Sequence, residues 1–382
     1  MLSMRHVARA AFRFAAAAEP PQPDPASRAV ALLDPRHLAR AGMLAARFGA
    51  ELLETLWRGS HAGLAYLELD DKLRAFHFFE TVVAALELER GPLVAGEAIR
   101  DAQRRLGQEQ AVWATEGIGY ELLERRLKAG PSARGLLSAP DERVPPGSWT
   151  VLHTGMGMAL AEAGLARIAS AGSAPLRRRA VEAHVAECRE AARPGYTELA
   201  FEPLGLVARI LQPALVAGIA EDLAALPGPW GELFWHGVGR GVYFLPANLP
   251  PARSAPWRGL ASCREEPPDE RGRNNALAGF AWAVALVNLR RPAVVEAFLA
   301  GHAGPGDQRD PVAQGVASAL ELWHEASGGS RELRAFVGHV AAVEQRPRWE
   351  RIVRAPFEDT LRRLASAGPD AAARLPELFR YR

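Results

Sequence analysis

The chain has 382 residues, 48% of them apolar and 24% charged, with a formal net charge of +2. That balance belongs to a globular domain with a large core and argues against a nucleic-acid-binding or acidic-partner protein. Only Cys188 and Cys263 occur, so there is at most one disulfide and no cysteine metal motif, as suits a reducing cytoplasm.

Arg5, Arg9 and Arg13 recur every fourth residue before the first acid, Glu19. This reads as a basic N-terminal helix, peripheral or part of a targeting segment. Residues 19–27 form a proline-rich linker, so 1–35 is separated from a single helical domain over 36–382. A break at Pro227-Gly228-Pro229, dividing the chain near 225, is the competing division.

Leu38, Ala41, Ala45, Phe48, Leu52 and Leu56 predict a helix stopped by Gly59. A second helix is expected from Lys72 to Arg90 and a third over 95–113. The stretch 128–149 reads as a loop. A helix opening near Thr154 and fading at Gly172 follows it, then another that begins at Pro175 and ends at Pro194-Gly195. Residues 241–245 are too short to assign between strand and helix. Pro246–Arg273 is the longest irregular segment, of the kind that forms lids, and a helix around 357–367 closes the chain. No apolar run reaches the ~20 residues needed to span a bilayer.

One phrase recurs through this series. It reads Glu116-Gly117-Ile118-Gly119, Thr154-Gly155-Met156-Gly157 and His236-Gly237-Val238-Gly239, with weaker copies at Gly279 and Gln314-Gly315-Val316-Ala317. Its spacing is roughly 40 residues or a multiple of that, the mark of stacked helical units, and it predicts a degenerate copy at Pro194-Gly195-Tyr196. Glycine costs ~1 kcal/mol relative to alanine inside a helix. The phrases therefore need a packing reason. Ala159, Gly241, Ala283 and Ala319 lie four residues after Gly155, Gly237, Gly279 and Gly315, making flat stripes for close helix contact. The expected fold is mostly α: about six helical hairpins in a curved array or α/α toroid.

No nucleotide loop, nucleophile elbow or zinc motif occurs. The residues that carry chemistry flank the phrases. Glu116, His153 and His236 are the candidate catalytic groups, an acid or base with a proton carrier. Tyr120, Thr154, Trp235, Arg240 and Gln314 are the candidate ligand-binding groups, and Tyr243 and Trp282 are further aromatic walls. Thr154 also suits a helix N-cap and Glu116 a helix N-terminus. No ligand spacing supports a metal, and no cofactor is specified.

The phrases, in their order, together with Asn275-Ala276-Leu277-Ala278-Gly279 and Gln314-Gly315-Val316-Ala317-Ser318, resemble a family of uncharacterised proteins described as enediyne biosynthesis proteins. The resemblance covers about residues 36–350 and transfers no catalytic residue. It implies a cytoplasmic accessory protein of polyketide biosynthesis that binds or acts on an apolar, polyene-type molecule, alongside biosynthetic partner proteins. The competing expectation is a non-catalytic helical-repeat scaffold for protein–protein interaction.

Overall fold

The computed structural model describes residues 61–88, 91–130, 132–138, 141, 143–245, 259–301, 310–366 and 378–381. The expected helix over 38–56 and the basic segment 1–35 lie outside these. The described residues are helical, with no strand among them.

The helices are α1 (His61–Leu88), α2 (Ala95–Leu106), α3 (Gln108–Ala129), α4 (Trp149–Ala169) and α5 (Ala174–Ala191). A short α6 (Thr197–Phe201) leads into α7 (Pro203–Leu211), followed by α8 (Val216–Ala224), α9 (Trp230–Tyr243) and α10 (Gly259–Glu265). Then come α11 (Glu270–Val287), α12 (Pro292–Gly301), α13 (Pro311–Ser327) and α14 (Arg331–Val337). The last are α15 (Arg346–Trp349) and α16 (Ala355–Ser366), joined by a π-helical turn over Glu350–Arg354.

Local chemistry sets several boundaries. Asp269, Asp310 and Ser330 cap α11, α13 and α14 by accepting from the backbone N–H of Gly272, Val312 and Leu333. Gly328 ends α13 in the left-handed conformation (φ 61°) that favours glycine. Gly107 (φ 83°) breaks the stretch expected as one helix over 95–113, so the first phrase lies on α3 and not at the end of α2. Residues 241–243 belong to α9. Within the expected irregular segment, 259–265 and 270–273 are helical, and 246–258 are outside the described residues.

Four of the phrases sit about two turns into their helices and the last, Gln314-Gly315, about one turn into α13. Thr154 is accordingly mid-helix: its hydroxyl donates to the Thr150 carbonyl oxygen at 3.1 Å, a bond that does nothing for the helix end. α4 starts earlier than expected because Pro146 and Trp149 carry the turn from Pro145 straight into it.

What the glycines do is plain from their neighbours. A methyl group at Gly155 would overlap the carbonyl oxygen of Glu116, and one at Gly119 that of Leu152, so α3 and α4 meet backbone to backbone in both directions. The same reciprocal contact joins α7 to α9 (Gly205 on Phe234, Gly237 on Glu202) and α9 to α11 (Gly239 on Ala276, Gly279 on His236). Gly157 faces Ala200 of α6, Gly315 faces Ala278 of α11, and Gly117 faces Phe79 of α1. Only a residue without Cβ permits this approach. The expected degenerate copy at Gly195 is instead a turn glycine (φ 86°). The glycine that makes the interhelix contact is Gly205, ten residues later, hidden in an apolar run.

α3, α4, α7, α9, α11 and α13 thus pack in chain order, and α13 also touches α3 and α4. Trp113 and Trp323 meet edge to face with centroids 6.0 Å apart, and the Thr150 hydroxyl donates to Glu325 at 3.1 Å. α7 packs on α9 across the Pro227-Gly228-Pro229 turn.

Gly155→Ala and Gly237→Ala should each destabilise by ~1–3 kcal/mol or more, because the added carbon meets backbone that cannot swing aside. Gly231 on α9 has nothing within 4 Å of an added Cβ, and Gly231→Ala should be neutral or stabilise by up to ~1 kcal/mol. Urea denaturation of the three variants checks the opposite signs.

Candidate functional site

The described contacts enclose an apolar slot. Its walls come from α1 (Phe76, Phe79), α3 (Trp113, Tyr120), α4 (Met158), α7 (Leu206, Ile210) and α11 (Trp282, Leu286). The room that a water-sized sphere finds between these side chains is about 50 Å³. Two charged residues reach it, Glu116 of α3 and Arg240 of α9.

Glu116 and Tyr120 are one turn apart on α3, so both face the same side. Tyr120 presents its ring and donates its hydroxyl to Glu162 at 3.0 Å. Arg240 lies one turn beyond His236 on α9. Its guanidinium donates to Glu202 at 2.5 Å, approaches Glu116 at 3.9 Å, and stacks over the Trp282 ring 4.5 Å from its centroid. Glu202 in turn accepts from His236 Nδ1 at 2.7 Å. A chain of polar groups therefore runs Glu116–Arg240–Glu202–His236, with its first two members on the slot and its last two wholly buried behind them.

Burial sets the charge states along this chain. It raises the Glu116 carboxyl to about 7, against the pull of Arg240 and with a further push from Glu202. Burial acts on Glu202 in the same sense, but Arg240 and His236 outweigh it and hold that carboxyl below the usual range. Burial lowers His236, so its neutral ring donates Nδ1–H to a carboxylate that is already paired with arginine. The result is a fixed Arg⁺–Glu⁻ pair beside a carboxyl that titrates near neutrality. Two buried donors at this spot, the Arg240 Nε–H and the Trp282 indole N–H, have no hydrogen-bond partner among the described residues.

No family model matches the chain, and no curated protein and no solved structure is significantly similar to it.

Of the residues selected from sequence, the structure brings Glu116, Tyr120, Arg240 and Trp282 to the slot and sends the others elsewhere. His236 joins the polar chain from behind, without facing the cavity. His153 is buried away from it: Nδ1–H donates to the Trp149 carbonyl at 2.8 Å, Nε2 accepts from the Arg193 N–H at 3.1 Å, and the ring stacks on Tyr196. With both nitrogens used and its pKa lowered by burial to about 4, it serves packing and not proton transfer. Thr154 bonds within its own helix. Trp235 packs on Gly272 of α11, on the far side of α9. Gln314 donates to the Arg380 carbonyl at 2.6 Å. Tyr243 is buried under Lys72, whose ammonium lies 3.8 Å from the ring centroid, and its hydroxyl accepts from Asn288 at 2.9 Å. Lys72 also pairs with Glu68 at 3.1 Å, so this cluster fixes α1 as a wall of the slot. No group of three or more possible metal ligands occurs among the described residues.

Glu202 is the member that sequence reasoning missed. Its signal is the lone acid in Leu199-Ala200-Phe201-Glu202-Pro203-Leu204-Gly205-Leu206, since a carboxylate inside so apolar a run must find a buried cation.

A carboxyl whose folded-state pKa exceeds its unfolded value of 4.5 stabilises fully below that value and loses the contribution as pH rises through about 7. Glu116→Gln keeps the shape and removes the titration. Relative to wild type it should gain on the order of 1–3 kcal/mol between about pH 5 and pH 8. His153 and His184, lowered by burial to about 4 and about 3, lose stability as pH falls below 6.5, the opposite sense, but they occur in both proteins and cancel in the difference. Urea unfolding at the two pH values checks this; parallel pH profiles for the two proteins would contradict it.

Proposed function

We propose that the chain is an accessory protein of polyketide-type natural-product biosynthesis that binds, or acts on, an elongated apolar molecule of polyene type within the slot. In this reading the six glycine-bearing helices hold equivalent places in a closed α/α array of about six hairpins, and the slot is the space they leave at its middle. One observation carries the reading. Aromatic and aliphatic walls converge on a single polar point, where Glu116 and Arg240 meet beside the Trp282 ring. Binding sites for small apolar molecules have this composition.

The unpartnered donors refine the guest. Buried N–H groups without acceptors are uncommon in folded proteins. Arg240 Nε–H and Trp282 N–H fit a carbonyl, hydroxyl or carboxylate at one end of the molecule. Glu116, titrating near 7, suits a group that gives or takes a proton at neutral pH, which is what action on the guest would use.

The scaffold reading draws on a different observation. The glycine stripes are filled by neighbouring backbone, as a purely structural repeat requires. That reading has no use for a carboxyl and a guanidinium turned into an apolar slot, so the binding reading is preferred.

Cis-parinaric acid, a fluorescent conjugated tetraene with a carboxylate end, tests the choice. The wild-type chain should bind it saturably with a rise in emission. Met158→Trp and Leu206→Trp, which fill the slot, should each weaken binding at least tenfold while leaving thermal unfolding cooperative. A scaffold predicts no saturable binding, or binding indifferent to both substitutions.

A further inference from the structure

On the side of the helices where His236 lies, a short segment, Leu378–Tyr381, which opens with a turn at Leu378-Phe379, packs against α9, α11 and α13. The contacts are of three kinds. The first is to its backbone: the Asn275 side-chain oxygen accepts from the Tyr381 N–H at 2.7 Å while its amide donates to the Tyr381 carbonyl at 3.4 Å. Gln314 adds a donor to the Arg380 carbonyl at 2.6 Å. The second is an aromatic anchor. Phe379 is 1% exposed, with its centroid 5.4 Å from both His236 and Trp282 and 5.8 Å from the Arg240 guanidinium. The third is a charge contact between Arg380 and Glu232 of α9.

Side-chain amides that pair with backbone, a deep aromatic pocket and a charged rim are means by which proteins hold short peptides: backbone bonds supply affinity and the pockets supply sequence preference. Beside Tyr381 lies a polar recess of about 560 Å³ bordered by Glu270, Arg271 and Asn274.

We infer that Asn275, Gln314, Glu232, His236 and Trp282 form a peptide-binding site for a short segment with an aromatic anchor followed by a basic residue, and that the chain's own Phe379-Arg380-Tyr381 occupies this site in cis as an exchangeable ligand. The site is separate from the slot, but Arg240 and Trp282 border both. Phe379 therefore closes the back of the polar chain, and a peptide that replaces it works on the same groups. The inference stands whether or not the slot binds a polyene.

The probe is a fluorescein-labelled peptide with the sequence of residues 377–382, Glu-Leu-Phe-Arg-Tyr-Arg, added to the full chain and read by fluorescence anisotropy. The Phe379→Ala chain, whose own anchor is gone, should bind it saturably, and the wild-type chain at least tenfold more weakly because its own segment competes. Adding Asn275→Ala to the Phe379→Ala chain, or replacing the peptide's phenylalanine with alanine, should weaken binding at least fivefold. Should Phe379→Ala fail to melt cooperatively, Arg380→Glu loosens the segment at its half-buried rim through repulsion by Glu232, and the same comparison applies. Absence of binding to a cooperatively folded variant would show the segment to be a fixed part of the core and overturn the inference. Equal binding by variant and wild type, or indifference to Asn275→Ala, would place the peptide elsewhere and overturn it as well.

Discussion

The fold depends on the contact between a glycine Cα and the carbonyl oxygen of the next helix. At Gly155, Gly237, Gly279 and Gly315, and in the return direction at Gly119, Gly205 and Gly239, no side chain separates the two backbones. Close packing of this kind maximises dispersion contact and leaves little freedom in helix placement. The ~1 kcal/mol that each glycine costs in helix propensity is offset by contacts that alanine could not make. Everything at the slot inherits this. Glu116 reaches Arg240 because α3, α4, α7 and α9 stand a fixed, short distance apart.

The same contact explains why charge lies inside. Glu116, Glu202 and His236 each supply a carbonyl oxygen to a neighbouring glycine, and their side chains leave the helix near the point of closest approach, where they are shielded from water. Glu202 is tolerable there because Arg240 and His236 both bond to it, and a buried carboxylate lacking such partners would be expensive. Glu116 has only the more distant guanidinium, so it keeps its proton to about 7. Two acids on adjoining helices thus hold different charge states for a stated reason, the pattern by which functional carboxylates are commonly set.

The helical class, the phrases and two of the slot's charged groups were legible in the sequence because each follows a short-range rule: apolar periodicity, glycine spacing, or adjacency to a motif. The remainder depends on packing between distant elements. His153 and His236 hold comparable places beside their phrases, yet one ring is taken up by Trp149 and Arg193 and the other by Glu202. Spacing says nothing of these partners. Gly205 escaped because it breaks the forty-residue step, and Glu202 escaped with it. The roles of Gln314 and Asn275 became visible only with the segment near residue 380 beside them.

The frame and the lining are made by different residues. The helix-to-helix distances are set by glycines that present no side chain to the slot, whereas Phe76, Met158, Ile210 and Leu286 shape its interior and take no part in the backbone contacts. A change in one of these apolar side chains alters the contour of the slot while the scaffold around it stays intact, since apolar exchanges of similar volume are tolerated. The architecture is therefore evolvable in a specific sense: the contour of the slot can drift through a handful of lining positions, while the glycines keep the helices in register.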